Sequence, residues 1–232
     1  MSVRLLAIVS LLALAPQSDL ATFQNHNRTF QLELPADWRL LAPNEAVQLR
    51  EAGGAPPDLQ RSEPRYFYAV GPVERWLKGE LDGAWLHVVE VNEAWYIEDD
   101  FRDQLREGWR ARGEQTGTRH ELEDVHLEKL GTQQVESVVA TRTSTPKDGA
   151  PYRVLEVHVP TARQQLSLSF GCHPDDFERW APRFRDWLAT LTLARVADEK
   201  ATLPDRLWTP IVTGLIVGVI LLALYRHTRG RR

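Results

Sequence analysis

Two histidines and three carboxylates crowd into the seven residues "HELEDVH" (120–126). Side chains alternate along a strand, so His120, Asp124 and His126 are expected on one face. Two imidazoles and a carboxylate on one face could hold a divalent cation. The simpler reading, adopted as the expectation, is a solvated strand rim. Cys172, the chain's one cysteine, stands with His173 at the start of a helical pattern. A thiolate at a helix N-terminus would have a lowered pKa and be reactive. The simpler reading makes Cys172 a small buried residue and His173 a capping or surface side chain. The acidic "YIEDDFRD" lacks the twelve-residue calcium-loop spacing, and its carboxylates suit the first turn of a helix. There is no G-x-S-x-G, H-E-x-x-H, P-loop or G-x-G-x-x-G. No catalytic residue, metal ligand or cofactor is therefore assigned.

The elements that would position these residues follow from periodicity. Phe30, Leu32 and Leu34 alternate with polar residues and the run stops at Pro35, which predicts a half-buried strand. A short helix is expected from Pro43 or Asn44 to the Gly53-Gly54 pair, then an extended loop, "GGAPPDLQRSEP". "RYFYAVG" and "AWLHVVEV" read as strands separated by a loop around Lys78–Gly83. Ile97, Phe101, Leu105 and Trp109 recur every four residues, one stripe of a helix that Gly113 and Gly117 are expected to break. Strands follow near Asp124–Leu130, Gln134–Arg142, Tyr152–Val159 and Gln165–Phe170, with "TPKDGAP" as a turn. Phe177, Trp180, Phe184, Trp187, Leu188 and Leu191 form one aromatic-rich face of a closing helix. Trp180 and Trp187 are both expected to be buried. Consecutive strands flanked by helices point to an antiparallel rather than a doubly wound sheet.

The opening "FQLELPADW", the mid-chain helix and the closing "LSLSFGCHPDDFERWAPRFRDWLATLTL" resemble PsbP-like domains, over most of Phe23–Ala194. The resemblance implies an α+β fold, an α/β/α sandwich around a mostly antiparallel central sheet. PsbP is an extrinsic subunit of the oxygen-evolving photosystem, and relatives in this fold act mostly as accessory or binding modules. No functional residue carries over one by one, and fold alone does not deliver function.

The two chain ends speak to location. Leu207–Tyr225 holds no charged residue. Its nineteen residues would rise about 28 Å as a helix, close to the bilayer's apolar thickness. Trp208 and Tyr225 bracket the stretch where interfacial aromatics are expected. Arg226, Arg229, Arg231 and Arg232 crowd its far side and place the tail in the cytoplasm by the positive-inside rule. Gly214 and Gly218 match G-x-x-x-G, which could pair two such helices into a weak homodimer. At the other end a short basic stretch precedes the apolar Leu5–Ala15, with small-residue cleavage sites at Ala15 and Ala21. The expected organisation is a signal peptide (1–21), an extracytoplasmic domain (22–195), a polar tether (196–206), one C-terminal transmembrane helix (207–225) and a basic tail (226–232).

Between Thr22 and Asp205 there are 22 Lys plus Arg and 31 Asp plus Glu, a net charge of −9. So acidic a body argues against nucleic acid as a partner. A lone cysteine rules out an intramolecular disulfide. Asn27-Arg28-Thr29 fits the glycosylation pattern, but such triplets arise by chance. The expected function is a membrane-anchored, extracytoplasmic binding or accessory module without catalysis, holding membrane lipid through its helix and a protein partner through its body. The sheet rim or the "GGAPPDLQRSEP" loop is the expected contact surface. One alternative is a membrane-tethered enzyme or metal-binding protein using His120, Asp124 and His126, or Cys172. Another is a surface protein whose C-terminus is a cleaved sorting signal.

Overall fold

The computed structural model describes residues 19–52, 67–81, 83–91, 95–161 and 165–196. The expected signal-peptide core, the whole "GGAPPDLQRSEP" loop, the tether beyond Val196, the transmembrane helix with Gly214 and Gly218, and the basic tail lie outside the described residues. Among the described residues no helix is long and apolar enough to cross a membrane.

Strands β1 (Leu20–Gln24), β2 (Phe30–Pro35) and β3 (Arg39–Leu40) lead into helix α1 (Pro43–Glu51). Then come β4 (Phe67–Gly71), a helical turn α2 (Val73–Trp76) and β5 (Trp85–Val91). Helix α3 (Phe101–Thr116) precedes four long strands: β6 (Thr118–Leu130), β7 (Val135–Pro146), β8 (Tyr152–Pro160) and β9 (Gln165–Cys172). Helix α4 (Phe177–Ala189) and the short β10 (Thr192–Leu193) close the domain. Seven strands form one sheet in the order β3-β4-β5-β9-β8-β7-β6, and every described pairing is antiparallel. A second, three-stranded sheet, β1-β2-β10, was not expected from the sequence. Two of its strands are too short or too exposed to show a buried face: β1 is exposed at four of five positions and β10 has two residues.

The large sheet is covered on both faces, as a sandwich requires. On one face lie Leu86, Val88, Leu166, Leu168 and Phe170, packed against β2 and α4. Alternation in β2 buries Phe30, Leu32 and Leu34 there, as expected. Phe184 stacks on Phe170 at 5.2 Å, and Trp187 meets Trp38 edge-on at 5.1 Å. Trp180 corrects the expectation: it is only partly buried, because it occupies the flank of the α4 stripe beside Phe184 and Trp187. A buried carboxylate ties the small sheet to the large one. Asn25 and Tyr68 both donate to Glu90 Oε1, at 2.6 and 2.8 Å. Burial, with the Glu90 charge behind it, pushes the Tyr68 hydroxyl well above its ordinary range.

The opposite face carries α1, α2 and α3. Leu49, Val73 and Trp76 pack on Trp85, Tyr152 and Val154 to make a smaller apolar cluster at one end. Helix α1 starts at Pro43 as predicted, and the Glu45 carboxylate accepts the Ala42 N–H at 2.9 Å, satisfying one orphan donor. Helix α3 runs straight through Gly113 and ends at Gly117, whose φ of 69° is the left-handed conformation that glycine adopts without penalty. Gly113 is glycine for a different reason. A Cβ there would sit 2.6 Å from the Thr118 carbonyl oxygen, where the chain turns back into β6.

Candidate functional site

Helix α3 covers the sheet at a distance. Of its sixteen residues only Phe101 is buried, whereas the shorter α4 buries four. Between α3 and the sheet lies a cleft of about 260 Å³. Its roof is the helix face Gln104, Leu105, Gly108, Trp109 and Arg112, whose spacing puts them on one side. Trp85, Tyr152 and Val154 wall one end.

The floor is polar and built from four adjacent strands. β5 supplies His87, β9 Ser167 and Ser169, β8 Glu156 and His158, and β7 Arg142. These residues share a face because antiparallel register places Ser169 beside Glu156 and Ser167 beside His158. Arg142, Glu156 and His87 are 1%, 3% and 4% exposed. Charged groups stay that deep only when paired and hydrogen-bonded. Arg142 Nε donates to Glu156 Oε2 at 3.4 Å, and His158 Nε2 stands 3.1 Å from Glu156 Oε1. His158 Nδ1 is 2.8 Å from Ser167 Oγ. Burial alone would raise the Glu156 carboxyl, but the charges and hydrogen bonds of His158 and Arg142 outweigh it and hold it at about 2. Arg142 also contacts Ser144 and His120, while its guanidinium sits over the Trp109 ring. The roof is thus joined to the floor by a cation–π contact.

The "HELEDVH" segment does not present His120, Asp124 and His126 on one face, which corrects that expectation. Strand β6 carries a bulge between Leu122 and Asp124, and one extra residue inverts every later side chain. His120 faces the cleft side, bonded to Ser144 and 4.6 Å from the Trp109 ring. Asp124 and His126 turn to the opposite face, where His126 bridges Asp124 at 2.8 Å and Glu128 at 3.3 Å, and Arg185 holds Glu128 at 2.7 Å. Among the described residues no group of three ligating side chains could hold a metal ion.

Cys172 is fully buried at the end of β9, and burial followed by the Asp176 charge pushes its thiol up to about 12. The simpler of the two readings therefore stands, and the reactive thiolate does not. His173 is exposed and its Nδ1 accepts the Asp175 N–H at 3.4 Å, a capping role. Glu156, His158, Ser167 and Arg142 were missed as site residues. Glu156, His158 and Ser167 alternate with valines and leucines as any solvent-facing positions do, and Arg142 stands between two threonines. The available signal was topological: helices on both sides of one sheet leave no solvent face on its central strands.

No family model matches the chain, and no curated protein matches it in sequence. Among solved structures it is similar to cyanobacterial PsbP (CyanoP) from Synechocystis, with a TM-score of 0.54 at 9% identity, covering 76% of this chain and 93% of that one. It is also similar to the Saccharomyces cerevisiae Ran-binding protein Mog1p, with a TM-score of 0.46 at 8% identity over 77% and 97% of the two chains. The likeness to CyanoP shows a shared fold, as the resemblance in the opening strand and closing helix implied.

Proposed function

We propose that this protein is a membrane-anchored, extracytoplasmic binding or accessory module that works through the cleft beneath α3 and carries out no chemistry. One observation carries the reading: a helix stands off a sheet whose facing side chains are polar, buried and already paired. A helix with only packing to do would rest on an apolar face. Pre-formed concave sites with a few fixed polar groups are what binding requires. The PsbP-like fold supports an accessory role, and the end segments support export and anchoring.

One observation favours a second reading. Ser167, His158 and Glu156 stand in a row with the order of a hydrolase triad. Against it, Ser167 sits in the middle of β9, which is paired on both sides by β5 and β8. Its neighbouring backbone N–H groups are committed to the two ladders, so none is left as an oxyanion donor. Complementation of a deletion strain, with a hydrolysis assay, separates the readings. Gly108→Leu, which fills the cleft, should abolish function at normal membrane levels, while Cys172→Ala and His126→Ala, which lie outside the cleft, should retain it. Hydrolysis of p-nitrophenyl acetate by the purified protein that disappears in Ser167→Ala would give the enzyme reading the lead.

A further inference from the structure

Resting on that reading of the cleft, we infer that its ligand is a small organic monocarboxylate with a flat apolar body, its charge held by Arg112 and its body admitted by Gly108.

Charge selects the anion. The cleft is lined by two arginines and one carboxylate. Arg142 and Glu156 are spent on each other, buried and 3.4 Å apart. His158 leans on the same carboxylate from its other oxygen, so Glu156 presents no free negative edge. Arg112 is left at the roof. It is exposed, its guanidinium is 5.6 Å from the Trp109 ring centroid, and no carboxylate of the described residues lies within salt-bridge distance of it. The acidic groups on α3 are engaged elsewhere: Glu107 and Glu114 with Arg110, and Asp103 with Arg106. A planar fork of donors beside an aromatic ring is suited to a carboxylate attached to a flat body.

Size and shape select the rest. A cavity of about 150 Å³ accepts benzene, so the 260 Å³ here has room for one ring and a carboxylate. Trp85, Tyr152 and Trp109 supply flat apolar surface, and Ser169 on the floor offers a hydroxyl.

Gly108 makes room. It lies inside α3, where glycine is a poorer helix former than alanine. Packing does not require it, since a Cβ there meets nothing within 4 Å. It differs in this from Gly113 of the same helix, which a backbone carbonyl forces to be glycine. An unforced glycine on the cleft-facing stripe leaves the space open.

Benzoate, benzamide and benzamidinium have one shape and three charges. Calorimetric titration of each into the full-length protein in lipid nanodiscs, corrected with empty nanodiscs, tests the inference. Benzoate should bind with a Kd of about 1 mM or tighter, and about tenfold better than benzamide. Arg112→Gln should erase that preference while leaving benzamide binding unchanged, and Gly108→Leu should abolish all binding without lowering the unfolding midpoint. Three results overturn the inference: benzamide or benzamidinium binding as well as benzoate, a preference that survives Arg112→Gln, or no binding of benzoate at about 10 mM. The cleft's role as a binding site fails separately, if Gly108→Leu complements the deletion strain.

Discussion

The guanidinium carbon of Arg142 lies 3.5 Å from the centroid of the Trp109 ring. One residue comes from the middle of β7 and the other from the exposed helix α3, so this contact decides how α3 sits over the sheet. Arg142 is at the same time the partner of Glu156. Removing one member of a buried pair leaves the other charge uncompensated, which costs about 3–5 kcal/mol. Arg142→Ala should therefore destabilise the domain by that amount in urea unfolding. The double variant Arg142→Met/Glu156→Gln should recover most of the loss, since the orphaned charge is gone. A single-variant loss below about 1 kcal/mol would show that the pair is not closed in solution.

Acid should unfold the protein through two carboxylates. Glu45 is held at about 2 chiefly by its hydrogen bond with Arg39, and Glu156 at about 2 by His158 and Arg142 against its own burial. Both folded values lie below the ordinary 4.5. Their stabilisation is thus complete above pH 4.5 and lost as pH falls from there towards 2. Urea midpoints across that window should drop for the wild type. The drop should be shallower for Glu156→Gln, although that variant starts lower at neutral pH. Equal slopes would remove Glu156 from the acid response.

Strongly periodic segments were legible in the sequence, and the site was not. β2, β9 and α4 announce themselves through runs of large apolar residues that one face must bury, and α3 through a four-residue repeat whose Leu105 and Trp109 stay half-buried. β1 and β10 carry no such run and exist because β2 offers them an edge. The bulge in β6 leaves no sign in "HELEDVH", yet it decides which side His126 faces. The cleft floor escaped because burial of Glu156 and Arg142 depends on a helix more than twenty-five residues away from either. Local pattern reports which side of a strand is apolar, and cannot report that the polar side is also covered.

The two helix-face tryptophans should behave differently. Trp187 is 5% exposed and touches Trp38, Phe170 and Phe184, so Trp187→Ala should cost about 3–5 kcal/mol. Trp180 is half-buried on the flank of the stripe, and Trp180→Ala should cost about 1–2 kcal/mol. Urea unfolding of the two variants checks the order. Equal costs would mean that α4 is rotated from the described position.

Cys172 should be inert in the folded protein. Its side chain is fully buried and its thiol is pushed up to about 12, so almost no thiolate exists near neutral pH. Iodoacetamide near pH 8 should leave the native protein unmodified and label it stoichiometrically in urea. Rapid labelling under native conditions would mean that the α4 N-terminus opens.

The proposed anchored topology carries the most specific expectation about the ends. Strand β1 begins at Leu20 and pairs with β2 from Leu20↔Pro35 to Gln24↔Gln31, so cleavage at Ala21 would remove two of its five residues. The Asp19 carbonyl also accepts the Ala36 N–H at 2.7 Å, which fixes the chain just before the strand. A mature protein that keeps this edge begins upstream of Leu20, and N-terminal sequencing should show it. Protease added outside spheroplasts should digest the body and spare a tag placed after Arg232. Intact-mass measurement should find Leu207–Arg232 retained; its loss would favour a sorting signal instead. A mature N-terminus at Thr22 with unchanged stability would show that the first two β1 residues are dispensable, while a C-terminal tag cut from outside would overturn the anchored orientation itself.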